Sequence, residues 1–349
     1  TPSGKFGCIR IFTFNVNDAD AFVDEFIRLA GHLPAEGLIL DVRGNGGGLI
    51  YAAEGLLQVL TPNRIEPEKA QFINSPLNLQ ICRNHDPSAQ LRGLDLKPWI
   101  DSIDQSIATG ATYSLGFRIS SKEFCNNRGQ RYYGPVVLIT DALCYSATDM
   151  FAAGFQDHHI GTILGTAKNT GAGGANVWTH SLLRDLALHS NDPEPAPSPY
   201  ESLPHGAEIR VSIRRTLRVG DNAGAVVEDL GIIPDRIHEV TRNDALNGNI
   251  DLINEAAEIL AGQKSHPMAL TVENRDSGLP RIEVRTANID RLDVFFNDRP
   301  ESSVNVHDEI TSIDLQEIVG NDTGPHRKLE IRGYEDGDLV AARLVDLNE

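Results

Sequence analysis

Two hydrophobic patterns divide this chain at about residue 263. Before that point, short apolar runs alternate with stretches in which apolar residues recur every three or four positions, a pattern that predicts strands followed by helices. Beyond it, apolar and polar residues alternate in short segments separated by turn signals, which is typical of antiparallel sheets. The pattern predicts an α/β domain over about residues 1–262 and a small all-β domain, an immunoglobulin-like sandwich, over about 264–349.

Several elements of the first domain can be placed from local signals. "GLILDV" and "GPVVLIT" are continuous apolar runs and predict buried strands, and "AEIRVSIRRTLRV" predicts one further strand. A helix capped by Asp18 and ended by Gly31 is predicted in "NDADAFVDEFIRLAGHLP", and a second helix from Ser146 to Asp157. Residues 61–133 are polar and interrupted by Pro and Asn, which predicts an irregular insertion with some helix near "DLKPWIDSIDQSI".

A glycine-rich turn follows the first of the predicted buried strands. In "LILDVRGNGGG", glycine occupies positions 44, 46, 47 and 48. Glycines permit backbone conformations that aim successive N–H groups in one direction, and such an arrangement can hold a developing oxyanion. Glycine after a strand is also found in ordinary turns, so this motif alone leaves both interpretations open.

A serine lies at the corresponding place after the strand "GPVVLIT". Ser146, in "DALCYSATDMFAAGFQDHH", precedes a predicted helix, where free N–H groups such as that of Ala147 and the helix dipole favour a negative oxygen. The serine could also simply cap the helix. Glu228 in "VVEDLGIIPD" has two interpretations as well: an acid that orients a catalytic histidine, or a solvated charge.

Composition narrows the classes of function. The chain of 349 residues has 31 Lys and Arg against 49 Asp and Glu, a net charge of −18. This acidity disfavours nucleic acid and anionic membranes as partners, although it is also common in simply soluble proteins. No apolar stretch reaches the length of a membrane span, and the spacing of the cysteines does not suit a metal. Free thiols and one disulfide both stay open for Cys8, Cys82, Cys125 and Cys144.

Four motifs together resemble a known family. "LILDVRGNGGG", "GPVVLITDALCYSATDMFAAGFQDH", "GTILGTAKNTGAGG" and "VVEDLGIIPD" resemble, in this order, the core of the C-terminal processing peptidases, the serine peptidases of the tail-specific, tricorn and chlamydial protease-like factor type. The resemblance covers about residues 5–240 apart from the insertion. It implies repeated ββα units like those of Clp protease and crotonase. It also implies endopeptidase activity on extended or unfolded polypeptides through an acyl-enzyme, with no metal or organic cofactor.

The resemblance also implies roles for individual residues. Ser146 would be the nucleophile and Glu228 the acid that orients the general base. The backbone N–H groups of Gly46 or Gly47, together with that of Ala147, would form the oxyanion hole. A periplasmic or secreted location and a PDZ module ahead of residue 1 are implied in the same way.

The general base is the part of the machinery that these motifs do not supply. The Ser–Lys branch of the family has a lysine where this chain has Gly171, and Lys168 lies three residues too early. The chain therefore resembles the Ser–His–Glu branch, whose histidine precedes the strand "CIRIFTF". We expect the base upstream of residue 1, in a longer protein of which this chain is a piece.

The histidines present in the chain are poorly placed to act as the general base. His158 and His159 end the helix that starts at Ser146, about 18 Å away at roughly 1.5 Å per residue. Four others lie outside the family motifs and are expected to be surface or packing residues: His32, His180, His205 and His238.

Three functions are compatible with these residues. The leading hypothesis is a serine endopeptidase with Ser146 as its nucleophile. The second is a catalytically silent member of the same family that binds peptides. The third is a crotonase-like acyl-CoA enzyme, because that fold also uses a pair of N–H groups, in its case to stabilise thioester oxyanions.

Overall fold

The computed structural model describes residues 1–84, 95–174, 177–188, 201–273, 278–320 and 327–348. The helices in these ranges are α1 (Ala19–Ala30), α2 (Ile50–Leu57), α3 (Pro76–Asn84), α4 (Lys97–Thr109), α5 (Lys122–Cys125), α6 (Ala147–Asp157), α7 (His180–Leu188), α8 (Arg242–Leu246), α9 (Ile250–Ala261) and α10 (Leu315–Val319). The strands are β1 (Gly7–Arg10), β2 (Leu38–Asp41), β3 (Lys69–Phe72), β4 (Phe117–Arg118), β5 (Val136–Thr140), β6 (Thr162–Gly165), β7 (Val177–Thr179), β8 (Arg210–Ser212), β9 (Arg214–Leu217), β10 (Arg236–Ile237), β11 (Met268–Glu273), β12 (Arg281–Thr286), β13 (Arg291–Phe296), β14 (Arg299–Asn305), β15 (Ile310–Asp314), β16 (Lys328–Glu335) and β17 (Asp338–Asp346).

A five-stranded parallel sheet lies at the centre of the first 262 residues. Its strands follow the order β1-β2-β5-β6-β10, and each neighbouring pair is parallel. Parallel neighbours need a crossover connection, which α1 supplies between β1 and β2 and α6 supplies between β5 and β6. The carboxyl ends of β2, β5 and β6 therefore lie side by side at one edge of the sheet.

Helices cover both faces of this sheet. Leu38 and Leu40 of β2 belong to a core shared with α1, α2 and α6, whereas Ile39 packs with Leu252 and its neighbours in α9. Because both faces are buried, these strands can be apolar at every position. The prediction of buried strands in "GLILDV" and "GPVVLIT" is confirmed.

Local capping signals also predicted helix boundaries correctly. The Asp18 carboxylate accepts a hydrogen bond from the Ala21 N–H at 3.0 Å, and α1 begins at the next residue, Ala19. The helix ends before Gly31, whose N–H donates to the Ile27 carbonyl at 3.0 Å. An N-cap of this kind contributes about 1 kcal/mol to helix stability.

The described parts of residues 61–133, which exclude residues 85–94, contain more regular secondary structure than their composition predicted. Strand β3 pairs antiparallel with β4 and with β9, so this segment shares a sheet with Arg214–Leu217. Trp99 of α4 is fully buried in the core beneath that sheet and donates its Nε1–H to the Ala70 carbonyl at 2.8 Å. The helix expected near "DLKPWIDSIDQSI" is α4, which is confirmed.

The single strand predicted in "AEIRVSIRRTLRV" is wrong in one respect. The chain forms two strands there, β8 and β9, which belong to different sheets. Between them the Ile213 carbonyl accepts a hydrogen bond from the Ile73 N–H at 2.9 Å. Alternation of apolar residues continues through this break, so the sequence pattern contains no sign of it.

Beyond α9 the chain forms two antiparallel sheets, ordered β11-β12-β15 and β14-β13-β16-β17. Alternate residues such as Ile282, Leu292 and Ile331 are fully buried in one shared core. The Gln130 side chain connects this unit to the preceding residues, because its Oε1 accepts the Ala342 N–H at 2.9 Å. The predicted mixed α/β class, with several sheets, is confirmed in this general form.

Two expectations from composition can be compared with the structure. In the described ranges, no helix combines the length and the apolar character that crossing a bilayer requires. All four cysteines have free thiols, and Cys82, Cys125 and Cys144 are buried. Burial raises the pKa of each of these three thiols, that of Cys82 to about 12, which makes them poor nucleophiles.

Candidate active site

Three turns that sequence reasoning singled out meet at one edge of the central sheet. The glycine-rich turn follows β2, the turn with Ser146 follows β5, and the loop of residues 166–174 follows β6. Because these strands are parallel neighbours, their following turns lie together. Ligands of open α/β sheets bind at this edge, so the topology alone makes it the candidate site.

Ser146 has an unusual backbone conformation at the entry to α6. Its φ of 57° and ψ of −121° lie outside the regions that non-glycine residues favour. Such a conformation costs about 1–3 kcal/mol and persists only where the surroundings enforce it. The Ser146 side chain makes no capping hydrogen bond to the helix. The alternative in which Ser146 is an ordinary cap is therefore not supported, and the sharp strand-to-helix turn presents the side chain as nucleophile elbows do.

The glycine-rich turn lies directly against this serine. A Cβ at Gly47 would come within 2.5 Å of the Tyr145 carbonyl oxygen, 2.7 Å of the Ser146 Cβ and 2.9 Å of the Ala147 nitrogen. The φ of Gly47, 95°, also favours glycine. Its own N–H donates to the buried Asn45 side chain at 2.9 Å. Because Gly47 has no side chain, the glycine-rich turn can lie close to the serine turn. The Gly47 N–H is not free to bind an oxyanion, because it already donates to Asn45.

Other N–H groups near the serine have no internal partner among the described residues. Ala147 is the first residue of α6, so its N–H has no acceptor within the helix. Gly46 is exposed, lines the same cavity as Ser146, and has open space around its Cβ position. These two groups are among the donors available at this edge of the sheet.

The loop after β6 is held against the same helix. Asp149 of α6 accepts the Gly173 N–H at 2.9 Å, and burial raises the pKa of this carboxyl to about 6. Gly171 donates its N–H to the Cys144 carbonyl at 2.8 Å. A Cβ at Gly171 would lie 2.5 Å from the Tyr145 ring, so a side chain where the Ser–Lys branch has its lysine would have to displace this ring.

Glu228 lies behind this loop. Both oxygens of its carboxylate accept the Thr216 N–H, at 2.8 and 2.9 Å, and a Cβ at Gly174 would be 3.7 Å from its Oε1. Burial raises the pKa of Glu228 to about 7, and the hydrogen bond from Thr216 opposes this rise. Gly174 itself lines the cavity with Ser146, so Glu228 lies one layer behind the cavity wall.

A cavity of about 560 Å³ opens beside Ser146. Its wall contains Ser146, glycines of the turn after β2 and glycines of the loop after β6. It also contains the apolar side chains of Ile50, Met150 and Val177 and two arginines, Arg210 and Arg214. Its volume and largely apolar wall are typical of ligand pockets, which occupy about 300–1,000 Å³. The described residues of this wall include no histidine and no lysine.

Two histidines of the described ranges have structural contacts away from the cavity wall. Nε2 of His158 accepts the Glu66 N–H at 2.9 Å, while its Nδ1–H donates to the Gly154 carbonyl at 2.8 Å. His238 is buried and bridges Asp244 and Glu255 at 2.7 and 2.6 Å. Three more lie away from the cavity wall as well: His32, His159 and His205.

The part of the chain that surrounds Ser146 matches a family model. Residues 5–236 match the model of peptidase family S41. The chain belongs to peptidase family S41. The match covers the strands and turns that surround Ser146, and it confirms the resemblance to the C-terminal processing peptidases.

Solved structures of mature CPAF are similar to this chain in fold. The chain is similar to mature CPAF complexed with lactacystin at a TM-score of 0.51 and 18% identity, over 74% of this chain and 52% of that one. Mature CPAF alone gives the same TM-score and identity over 73% and 51%. The photosystem II D1 C-terminal processing protease is 17% identical over 73% of this chain and 46% of that one, at a TM-score of 0.38. This chain thus spans about half the length of these structures, and no curated protein sequence matches it.

Sequence reasoning missed several groups that surround the site. Asp149, which ties the glycine loop to α6, is three residues after the serine, a spacing that a capping box would have suggested. Glu54 is the single acid in the apolar run "LIYAAEGLLQVL", and the structure buries it. A lone acid in such a run could have indicated a buried carboxyl. Arg214 had no such signal, because "RR" in a strand does not indicate which arginine faces inward.

Glu54 and Glu68 form a buried acidic pair next to this region. Glu54 Oε1 accepts the Glu68 N–H at 3.1 Å, while neither carboxylate oxygen of Glu68 has a partner among the described residues. Burial raises the pKa of Glu54 from 4.5 to about 7, and burial together with Glu54 raises that of Glu68 well above its ordinary value. Both carboxyls therefore favour the neutral form in the folded protein.

We expect Glu54→Gln to stabilise the protein at pH 8. The unfolded Glu54 loses its proton near pH 4.5 and the folded one near pH 7, so stability falls as pH rises between these values. A rise of the Glu54 pKa from 4.5 to about 7 corresponds to about 3 kcal/mol of unfolding free energy, which the variant would recover at pH 8 and not at pH 4. Urea denaturation at both values measures this, with Glu258→Gln on the exposed face of α9 as the control. An equal effect at pH 4 and pH 8 would contradict the assignment.

Proposed function

We propose that this chain is a serine endopeptidase that cleaves extended or unfolded polypeptides through an acyl-enzyme on Ser146. The observation that carries the proposal is the backbone of Ser146, held at φ 57° and ψ −121° between β5 and α6 with Gly47 packed against it. A strained serine at the mouth of a cavity is expected where its hydroxyl must be presented to a ligand. Membership of family S41 supports the reaction class.

In the proposed reaction, Ser146 Oγ attacks the scissile carbonyl while a general base takes its proton. The carbonyl oxygen becomes an oxyanion that accepts hydrogen bonds from the N–H groups of Ala147 and Gly46. We assign this role to Gly46 rather than Gly47, because the Gly47 N–H already donates to Asn45. The base then protonates the leaving amine, and water hydrolyses the acyl-enzyme. Each oxyanion donor is worth about 3 kcal/mol in such sites.

We further propose that the base is a histidine which the described wall of the cavity does not include, oriented by Glu228. The carboxylate of Glu228 ionises near pH 7, so it would stabilise an imidazolium only above that value. We therefore expect hydrolysis to increase as pH rises through 7.

A second candidate function is peptide binding without catalysis. It is favoured by the absence of histidine and lysine from the described cavity wall. The apolar wall and its two arginines would still accommodate a polypeptide segment.

A serine-reactive fluorophosphonate tests the first candidate against the second. The protein in its full natural length is incubated with the probe and separately with reduced, carboxymethylated casein. The peptidase proposal requires loss of fluoride from the probe, a covalent bond to Ser146 found by mass spectrometry, and casein cleavage. Casein binding with neither labelling nor cleavage would establish the silent binding protein instead.

Three further proposals concern the two domains and the location of the protein. We propose that residues 1–262 form the peptidase core with a Clp- and crotonase-like arrangement of ββα units, and that residues 264–349 form a separate immunoglobulin-like sandwich. The parallel sheet with its covering helices, and the shared core of the two C-terminal sheets, support this division. A periplasmic or secreted location is proposed from the family resemblance.

A further inference from the structure

We propose that Arg214 binds a carboxylate of the substrate in the cavity beside Ser146, so that the enzyme selects polypeptides with an acidic group near the scissile bond. The inference rests on the proposed peptidase function and specifies its substrate class. Two sources of the carboxylate share this chemistry: an Asp or Glu side chain, and the free C-terminus of a polypeptide. Arg214 begins strand β9 and lines the same cavity as Ser146.

The side chain of Arg214 is buried and lacks an acceptor. The residue is only 2% exposed, and its Nη1 has no hydrogen-bond partner among the described residues. None of its guanidinium nitrogens takes part in an ion pair or hydrogen bond with the described residues, and the guanidinium carbon lies 6.0 Å from the centre of the Phe72 ring. A buried charge without a partner costs several kcal/mol, so its presence calls for a function.

Three other arginines that are at least partly buried have polar partners. Arg218, the residue after the end of β9, forms an ion pair with the fully buried carboxylate of Asp157. Arg43 forms an ion pair with Asp41 at 2.8 Å. Arg215, the next residue after Arg214, donates to the Gln71 side chain at 2.8 Å and lies over the Tyr113 ring. Arg214 differs from these three arginines in that it lines the cavity beside Ser146 and has no such partner among the described residues.

Neighbouring acids do not neutralise this charge by contact. Burial lowers the pKa of Arg214 to about 10, so the guanidinium is still a cation at neutral pH. Glu228 is the strongest opposing charge, but its carboxylate accepts the Thr216 N–H, and burial raises its pKa to about 7.

The cavity is therefore positive although the protein is acidic. Its described wall contains Arg210 and Arg214 and no Asp or Glu, whereas the chain as a whole carries a net charge of −18. An arginine in a cavity of low polarity forms two parallel hydrogen bonds to a carboxylate, which supplies both affinity and orientation. A carboxylate of the substrate would also supply the counter-charge that Arg214 lacks.

Binding of matched peptides tests the inference. Three fluorescein-labelled peptides of one length are used: a central Glu with an amidated C-terminus, a central Gln with an amidated C-terminus, and a central Gln with a free C-terminus. Affinities are measured by anisotropy in a Ser146→Ala background, so that cleavage does not interfere. The variants are Arg214→Gln, Arg214→Lys and, as a control on the same strand, Arg215→Gln.

We expect at least one carboxylate peptide to bind about 10-fold or more tightly than the neutral peptide, as charged hydrogen bonds do. Arg214→Gln should reduce this ratio to about one, Arg214→Lys should retain part of it, and Arg215→Gln should leave it unchanged. Preference for the Glu peptide identifies a side-chain carboxylate, and preference for the free C-terminus identifies a chain end. A merely structural role for Arg214 would weaken all three peptides equally.

Two results would overturn the inference: equal affinity for all three peptides, or a preference that survives Arg214→Gln. If the protein cleaves casein but the peptides show no preference for a carboxylate, the peptidase function stands and only the role of Arg214 is removed. Failure to bind any peptide, with no cleavage of casein, would remove both. Thermal unfolding supplies an independent readout, because Arg214→Met should keep or raise the melting temperature if the charge is unpaired, whereas loss of a structural ion pair would lower it.

Discussion

Replacement of Ser146 by alanine is expected to reduce polypeptide hydrolysis by about 10⁴-fold or more, because it removes the nucleophile and leaves only the oxyanion hole and substrate binding. The fold should be retained, since the Ser146 side chain makes no capping bond to α6. Peptide binding should also change little. The measurement is the initial rate of casein cleavage by the two proteins in their full natural length.

Ser146→Gly is the matched variant, because it removes the same hydroxyl and also relieves the backbone. Glycine adopts φ 57° and ψ −121° without steric cost, so Ser146→Gly should unfold at higher urea than Ser146→Ala. The expected difference is about 1–3 kcal/mol in the free energy of unfolding. Residual cleavage by either variant at more than a hundredth of the original rate would rule out Ser146 as nucleophile. Equal stability of the two would show that the turn is not strained.

Gly47→Ala is expected to be the second most damaging change. Its methyl group would lie within 3 Å of the Tyr145 carbonyl oxygen, the Ser146 Cβ and the Ala147 nitrogen, and these atoms belong to the turn that carries the nucleophile. The turn must move, which displaces both the hydroxyl and an oxyanion donor. We expect a loss of about 10²–10³-fold in hydrolysis and of about 2–4 kcal/mol in stability.

Gly44→Ala provides the control for this variant. Gly44 also has a positive φ, 72°, but its Cβ position meets open space. Alanine there should cost about 1 kcal/mol of stability from the backbone alone and leave hydrolysis unchanged. If Gly44→Ala and Gly47→Ala were equally harmful to hydrolysis, steric contact between Gly47 and the serine turn would not be the cause.

Much of the candidate site could be predicted because its parts are local. Asp18 and Gly31 bound a helix through signals within a few residues, and "GLILDV" is buried because every position is apolar. The order of the motifs at Gly46, Ser146 and Glu228 then identified the family. Each of these features depends on neighbours that lie within one turn or one strand.

Other features depend on contacts between distant residues. The split of "AEIRVSIRRTLRV" follows from pairing of β9 with β3, about 140 residues earlier in the chain, and of β8 with β7. Burial of Arg214 follows from the same pairing, which turns Arg214 inward and Arg215 outward. A one-residue shift of the strand would exchange these two side chains, so no property of "RR" itself could decide between them.

The sequence by itself determined the buried strands of the central sheet, the helices α1 and α6, the family and the residue that carries the proposed chemistry, because periodicity, capping and turn composition act over short distances. Only the tertiary structure decided which groups serve Ser146. It engaged the Gly47 N–H with Asn45, placed the Tyr145 ring where a side chain at position 171 would stand, and left Arg214 without a partner in the cavity wall. These outcomes depend on how parallel strands bring separate turns together at one edge of the sheet, which is a property of the packed chain.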